Sequence, residues 1–202
     1  MMRAINLHFA IIPYSNVIIL CYYVYIVVQI KERVIVMVVV FDKPSNCYHM
    51  HFCDTPVGKL TIADNSKSIV RISLALPDDS DQYKLKETPL IAKAKKELDE
   101  YFSGKRFEFS LPLEPQGTNY LKNVWKILCD IPYGETRSYG DIAMISGKPS
   151  AGRAVGMATN RNPILIVIPC HRVIGNNGKL IGYAYGLGIK QKLLDLERNY
   201  KR

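Results

Sequence analysis

Of the five cysteines in the chain, at 21, 47, 53, 129 and 170, Cys170 stands in the setting best suited to chemistry. It follows the apolar run Ile164-Leu165-Ile166-Val167-Ile168 and Pro169, and it precedes His171 and Arg172. A sulfur attacks carbon as thiolate rather than thiol, and neighbouring cations favour that form. The run reads as a buried strand with the sulfur at its end, and Asn176-Asn177-Gly178 reads as a hairpin turn that folds the chain back over it. The bland alternative is a small core residue. Adjacency of Cys and His proves no catalytic pair, because neighbours along a strand point to opposite faces. A Cys-His hydrolase would also need an oxyanion-binding arrangement, and none is identifiable.

A second constellation invites metal chemistry. Cys47, His49, His51 and Cys53 alternate and could share one strand face. Residues two apart on an extended strand lie roughly 6.6 Å apart, too far for four of them to ring one ion without bending. No metal is expected.

The elements that must position Cys170 are legible around it. Leu121, Val124, Trp125 and Leu128 make one face of an amphipathic helix that ends at Ile131-Pro132-Tyr133-Gly134. Ser138 is placed to cap a short helix carrying Ile142 and Ala143, and Gly147-Lys148-Pro149 breaks it. Ser150 is placed to cap a second helix running to about Thr159. This spacing fits a helix-turn-helix. The second helix, Ala151 to Ala158, is almost all small residues, with Arg153 its one long cation. Its backbone can approach a groove closely, although tight helix packing with Arg153 in solvent accounts for the same composition.

Upstream, Tyr48 to Leu76 alternates like strand: Leu60 with Ile62, then Val70, Ile72 and Leu74 beyond the turn-forming Asp64-Asn65-Ser66. A small antiparallel sheet is expected. Ile91, Ala94, Leu98, Tyr101 and Phe102 recur at helical spacing up to Gly104. The Pro-containing stretch 110–117 marks a boundary, giving an extension over 1–36, an N-terminal domain over 37–116 and a C-terminal domain over 117–202. Residues 4–30 carry no Lys, Arg, Asp or Glu, and three readings of the extension stay open: an upstream addition outside the functional unit, a membrane anchor through residues 7–30, or strand.

Charge separates the two halves. The net formal charge is +9, yet residues 118–202 carry 13 basic against 5 acidic side chains, while 37–117 carry 11 against 12. The basic half is the one suited to a phosphate backbone. An odd number of widely spaced cysteines argues for a reducing compartment, the cytoplasm or, in a eukaryote, the nucleus.

At this point a resemblance becomes specific. Ile168-Pro169-Cys170-His171-Arg172-Val173 resembles the active-site signature of the O6-alkylguanine-DNA alkyltransferases. Ile131-Pro132-Tyr133-Gly134-Glu135-Thr136-Arg137-Ser138-Tyr139-Gly140, Arg153-Ala154-Val155-Gly156, Arg161-Asn162-Pro163, Gly182-Tyr183-Ala184 and Leu193-Leu194-Asp195-Leu196-Glu197 resemble the family's other motifs in order and spacing. Asp54 to Leu60 resembles the first strand of its N-terminal domain. The resemblance implies an α+β chain: a small ribonuclease H-like sheet domain, then a mainly α winged helix-turn-helix domain. It implies irreversible single-turnover transfer of an alkyl group from O6-alkylguanine in double-stranded DNA, with O4-alkylthymine as an open second substrate, to Cys170.

Carried over residue by residue, His171 is the base, Glu197 holds its far nitrogen and Asn162 steadies the Cys-bearing turn. The nucleotide is flipped out of the duplex. Tyr139 helps rotate it, Arg153 fills the gap, and the carbonyls of Cys170 and Val173, the Ala184 amide and the Tyr183 ring receive the base. No cofactor and no obligate protein partner are implied, and a monomer is. Where the family usually carries Gly, this chain has Tyr185, which implies a narrower pocket that takes methyl better than benzyl. The rival readings are a catalytically silent relative that binds alkylated DNA and recruits repair factors, and a transcriptional regulator. The first lacks the nucleophile, and the second needs a further domain.

Overall fold

The computed structural model describes residues 48–74, 76 and 80–200, and the backbone alone of 23–30 and 33–40. The chain divides into two units, residues 1–46 and 47–202. Expectations for residues 1–22, Cys21 and Cys47 lie outside the described residues. In the first unit β1 (Tyr23–Ile30) and β2 (Arg33–Val40) pair antiparallel, Tyr23 opposite Val40 and Ile30 opposite Arg33. Here the β-branched run is strand, and Met37 falls within the pair, opposite Ile26. Among the described residues no helix is long and apolar enough to cross a membrane.

The second unit opens with β3 (Tyr48–Thr55), β4 (Gly58–Asp64) and β5 (Ile69–Ser73), which pair antiparallel in sequence. The stretch Asp54 to Leu60, expected as one strand, is instead the end of β3, a two-residue turn at Pro56-Val57 and the start of β4. The expected antiparallel sheet is also mixed. A short β6 (Tyr83–Leu85) runs parallel to β3, giving the order β5-β4-β3-β6. Its three residues are too few for alternation to announce a strand.

Helix α1 (Pro89–Phe102) begins where Thr88 accepts the Ile91 amide, with proline in the first turn, where its missing N–H costs nothing. Ile91, Ala94, Leu98 and Tyr101 are fully buried in the same apolar core as Leu60, Ile62 and Ile72 of the sheet. Gly104 closes the helix at φ +70°, a conformation that disfavours any side chain.

Stretch 110–117 follows a strand edge rather than hanging free. Ile69 donates to the Pro112 carbonyl at 2.8 Å, and Glu114 donates back to Ile69 at 2.9 Å. Helix α2 (Asn119–Cys129) buries Leu121, Val124, Trp125 and Leu128, as its periodicity predicts. Cys129 is exposed at its end. Strand β7 (Arg137–Ser138) leads into α3 (Tyr139–Ile145) through a reciprocal cap: Ser138 accepts the Asp141 amide and the Asp141 carboxylate accepts the Ser138 amide. Helix α4 (Gly152–Asn160) follows, started by Ala151 without any side-chain cap, so Ser150 does not play the expected role. Trp125 Nε1 donates to the Ala158 carbonyl at 2.8 Å and binds α2 to α4. Strand β8 (Val173–Ile174) pairs parallel with β7, and α5 (Leu187–Asn199) ends the described chain.

The apolar run before Cys170 is buried as expected, but it is no regular strand. Ile72 donates to Pro163 O at 2.9 Å and Leu165 donates to Ile72 O at 2.8 Å, so the run touches the β5 edge for a single step. The chain then reverses at Ile166, whose φ of +72° is rare for a β-branched residue. Ile168 donates to Ile164 O at 3.0 Å across this coil, and Cys170–Arg172 form one turn of 3-10 helix.

Candidate active site

Cys170 emerges from this coil beneath α5, 5% exposed. Asn162, left behind by the last turn of α4, fixes it from one side. Its Nδ2 donates to Cys170 Sγ at 3.1 Å and to Ile168 O at 2.8 Å, while its Oδ1 accepts the Ile164 amide at 2.9 Å. An Asn before proline is ordinarily a turn former; this one is buried and uses both ends of its amide. Burial pushes the Cys170 thiol above its ordinary range, against the pull of the Asn162 hydrogen bond and the Lys190 charge. At rest the sulfur is a neutral thiol.

His171 is fully buried, and its Nε2 stands 2.7 Å from Glu197 Oε1 on α5. Because the partner is a carboxylate, the network assigns the proton of the neutral imidazole to Nε2 and the lone pair to Nδ1. Nδ1 is buried and makes no hydrogen bond within the protein. Burial pushes His171 below its ordinary value, and Glu197 opposes this without reversing it, so the ring is neutral at pH 7.

Glu197 gathers donors from three segments. Arg172 reaches it through Nε at 2.9 Å and Nη2 at 2.9 Å, the Gly134 amide at 2.9 Å and the Tyr101 hydroxyl at 2.8 Å. Burial alone would raise its pKa, but the bonds and charges of His171 and Arg172 hold it down at about 2. Arg172 also donates to Ile131 O. Its charge is therefore neutralised by Glu197, and the expectation that it favours the Cys170 thiolate is corrected: the cation that acts on the sulfur is Lys190.

Lys190 escaped the sequence reading. It is fully buried on α5, and its ammonium donates to the carbonyls of Val173, Ile181 and Gly182. Burial lowers its pKa to about 8, with Cys170 opposing. A lysine at this helical position reads as solvated; the apolar neighbours Ile189, Leu193 and Leu194 were the available signal.

The loop 181–186 lies over the sulfur. Tyr139, at the start of α3, donates to Ile181 O at 2.9 Å and Gly182 O at 3.2 Å. The Tyr183 hydroxyl is buried facing the Cys170 sulfur, and its ring meets Tyr185 edge-on at 6.2 Å. Ala184 is exposed and Val173 fully buried, its carbonyl accepting one hydrogen bond from Lys190. Arg153 is exposed on α4, lining a cleft of about 540 Å³ with Tyr139, Gly156, Met157, Asn176 and Ile181. The structure thus brings Cys170, His171, Asn162 and Glu197 into one buried cluster, with Tyr139, Val173 and Tyr183 above it. It leaves Arg153 and Ala184 outside.

Residues 119–199 match the 6-O-methylguanine DNA methyltransferase DNA binding domain, and residues 48–115 match the ribonuclease-like domain of the same enzymes. The chain belongs to this family. The methylated-DNA–protein-cysteine methyltransferase of Methanosarcina barkeri is 49% identical over 74% of this chain and 96% of its own length. The constitutive enzyme of that name from Bacillus subtilis is 49% identical over 73% and 94%. A crystal structure of the Mycobacterium tuberculosis O6-methylguanine methyltransferase superposes with a TM-score of 0.72 at 40% identity, covering 77% of this chain and 95% of that one. The M. tuberculosis protein in complex with DNA gives 0.70 at 42% identity, covering 76% and 93%. The mixed α+β architecture expected from the alkyltransferase resemblance is therefore the observed one.

The metal-like constellation of the N-terminal half has other partners in this alkyltransferase. His49 Nδ1 pairs with Asp64 at 3.2 Å, His51 Nδ1 lies 3.3 Å from Glu87, and Cys53 is buried under α1.

Proposed function

We propose that Cys170 Sγ accepts an alkyl group from O6-alkylguanine in double-stranded DNA, with His171 and Glu197 as its proton relay. Membership of the family makes the reaction direct reversal of DNA alkylation, with the protein as the stoichiometric acceptor. The observation that carries the residue assignment is the buried line from the Asn162 amide to the sulfur and from the adjacent imidazole to Glu197.

The thiol gives its proton to the lone pair of His171 Nδ1, directly or through water, and Glu197 stabilises the imidazolium that forms. Sγ then bonds to the alkyl carbon as the carbon–O6 bond breaks, and its electron pair returns guanine to the keto form. The guanine ring gains one proton and the thiol has lost one, so the reaction balances without a cofactor. Asn162 and Lys190 offset the cost of a buried thiolate at the moment it forms. The product is a thioether, which thiol exchange does not reverse, so each molecule acts once.

Bringing the lesion to a sulfur that is 5% exposed requires that the nucleotide leave the stack and that loop 181–186 move. Tyr139, which tethers that loop, is placed to turn the base inward. Arg153, exposed on a helix of small residues, is placed to fill the vacated step. The Cys170 and Val173 carbonyls, the Ala184 amide and the Tyr183 ring would hold the purine, leaving little sequence preference. The basic half, 118–202, would meet the phosphates as a monomer, with affinity falling steeply as salt rises. A reducing compartment, cytoplasmic or nuclear, suits a free nucleophilic thiol.

Intact-mass spectrometry after incubation with an O6-methylguanine oligonucleotide tests this. One added methyl, lost in Cys170→Ala, is expected. Unchanged mass with DNA still bound would instead identify a silent binder of alkylated DNA.

A further inference from the structure

The carboxylate at the centre of the relay is also held from the sheet-bearing half of the chain. Tyr101 Oη donates to Glu197 Oε1 at 2.8 Å, the same oxygen that meets His171 Nε2 at 2.7 Å. Tyr101 is fully buried on the last turn of α1, and its ring is fixed by Phe109 at 5.6 Å and by Tyr133, edge-on, at 6.0 Å. A second contact docks the same two helix ends. A Cβ on Gly104 would lie 2.3 Å from the Tyr200 ring, so α1 ends directly against the residue that follows α5. The hydroxyl therefore has a defined direction.

We propose that Tyr101 is a positioning residue that sets the basicity of His171 through Glu197, which makes the N-terminal half a participant in alkyl transfer. This rests on the relay reading above. Donors that share one carboxylate oxygen divide its charge, so a bond from Tyr101 weakens the hold of Oε1 on an imidazolium. Tyr101 from α1, the Gly134 amide and Tyr133 from the loop before β7, and Arg172 and His171 from the Cys170 turn all face Glu197. Glu197 and Arg172 face His171, with Lys190 of α5 at longer range. Among the side chains bonded to Glu197, only Tyr101 is neutral whatever the state of the imidazole. Its hydroxyl can be removed without changing the charge of the cluster.

The test is the rate of methyl transfer from an O6-methylguanine oligonucleotide, followed from about pH 5 to 9. Wild type should lose rate on the acid side as His171 protonates. In Tyr101→Phe this limb should move upward by about half a pH unit, leaving the acid-side rate about threefold lower and the high-pH plateau intact. Tyr120→Phe, which removes another buried hydroxyl, one without a partner, should leave the limb in place. Site-specific 3-fluorotyrosine at 101, a stronger donor of nearly the same size, should move it downward, and it decides the matter if Tyr101→Phe does not fold. An unmoved limb in the folded variants, or a loss of rate uniform across pH, overturns the role of Tyr101. A wild-type profile with no acid limb overturns the relay itself.

Discussion

His49 and His171 are each bonded to a fully buried carboxylate, and each has a cysteine within four residues. Around Asp64 the partners are the Thr88 hydroxyl, the Ser66 amide and His49 Nδ1. These tie the first turn of α1, the β4–β5 turn and β3 together, and the Cys53 thiol is bonded elsewhere, to the Asp54 carbonyl. Around Glu197 the partners include a full positive charge, Arg172, and an imidazole whose other nitrogen is unbonded and adjacent in sequence to a thiol held by an amide. A buried carboxylate is thus no mark of a reactive centre. What distinguishes the second is that the unbonded nitrogen of its histidine is buried, on the residue next to a thiol held by an amide.

The sharpest way to break that comparison is to neutralise each carboxylate. Glu197→Gln strands the buried Arg172 and should cost about 3–5 kcal/mol in urea denaturation, with methyl transfer lost as well. Asp64→Asn should cost about 1–3 kcal/mol while the rate of transfer in folded protein stays at the wild-type level. Equal loss of transfer in both variants would erase the distinction.

Acid sharpens it next. The Glu197 pKa is held at about 2 in the fold against about 4.5 ordinarily, so its contribution is complete above pH 4.5 and is lost as pH falls toward 2. His171, lowered by burial, acts in the same direction, because the unfolded chain takes up its proton first on acidification. Denaturation midpoints should fall through this range by about 3 kcal/mol of stability, and Glu197→Gln should flatten the fall. A smaller effect is expected at Asn162→Ala. Removing the amide from Sγ should slow transfer on the order of 10- to 100-fold, measured under single-turnover conditions, with DNA affinity little changed. Smallest is Tyr185→Gly, which should raise the rate on O6-benzylguanine severalfold relative to methyl, about 1 kcal/mol of discrimination. A variant that gains nothing on the benzyl substrate would contradict a pocket narrowed by that ring.

Helix α2 was legible from its apolar period and α3 from its Ser138 cap, and Cys170, His171, Asn162 and Glu197 because their motifs stand at fixed spacing. Three features were not. The run 164–168 has the composition of a strand, but pairing with one residue of β5 and the reversal at Ile166 are tertiary facts that no local pattern carries. Lys190 is buried where three carbonyls from two segments, Val173 and Ile181-Gly182, converge on it, which spacing along α5 does not reveal. Tyr101 sits in an apolar stripe, where its ring reads as core and its hydroxyl goes unnoticed.

The depth of Cys170 bears on what the protein ignores. A sulfur that is 5% exposed and protonated at rest offers little to peroxide, to small disulfides or to free alkylating agents in the surrounding fluid. A molecule that reacts once is useless after meeting the wrong electrophile, so the depth of its sulfur helps to reserve that single event for DNA.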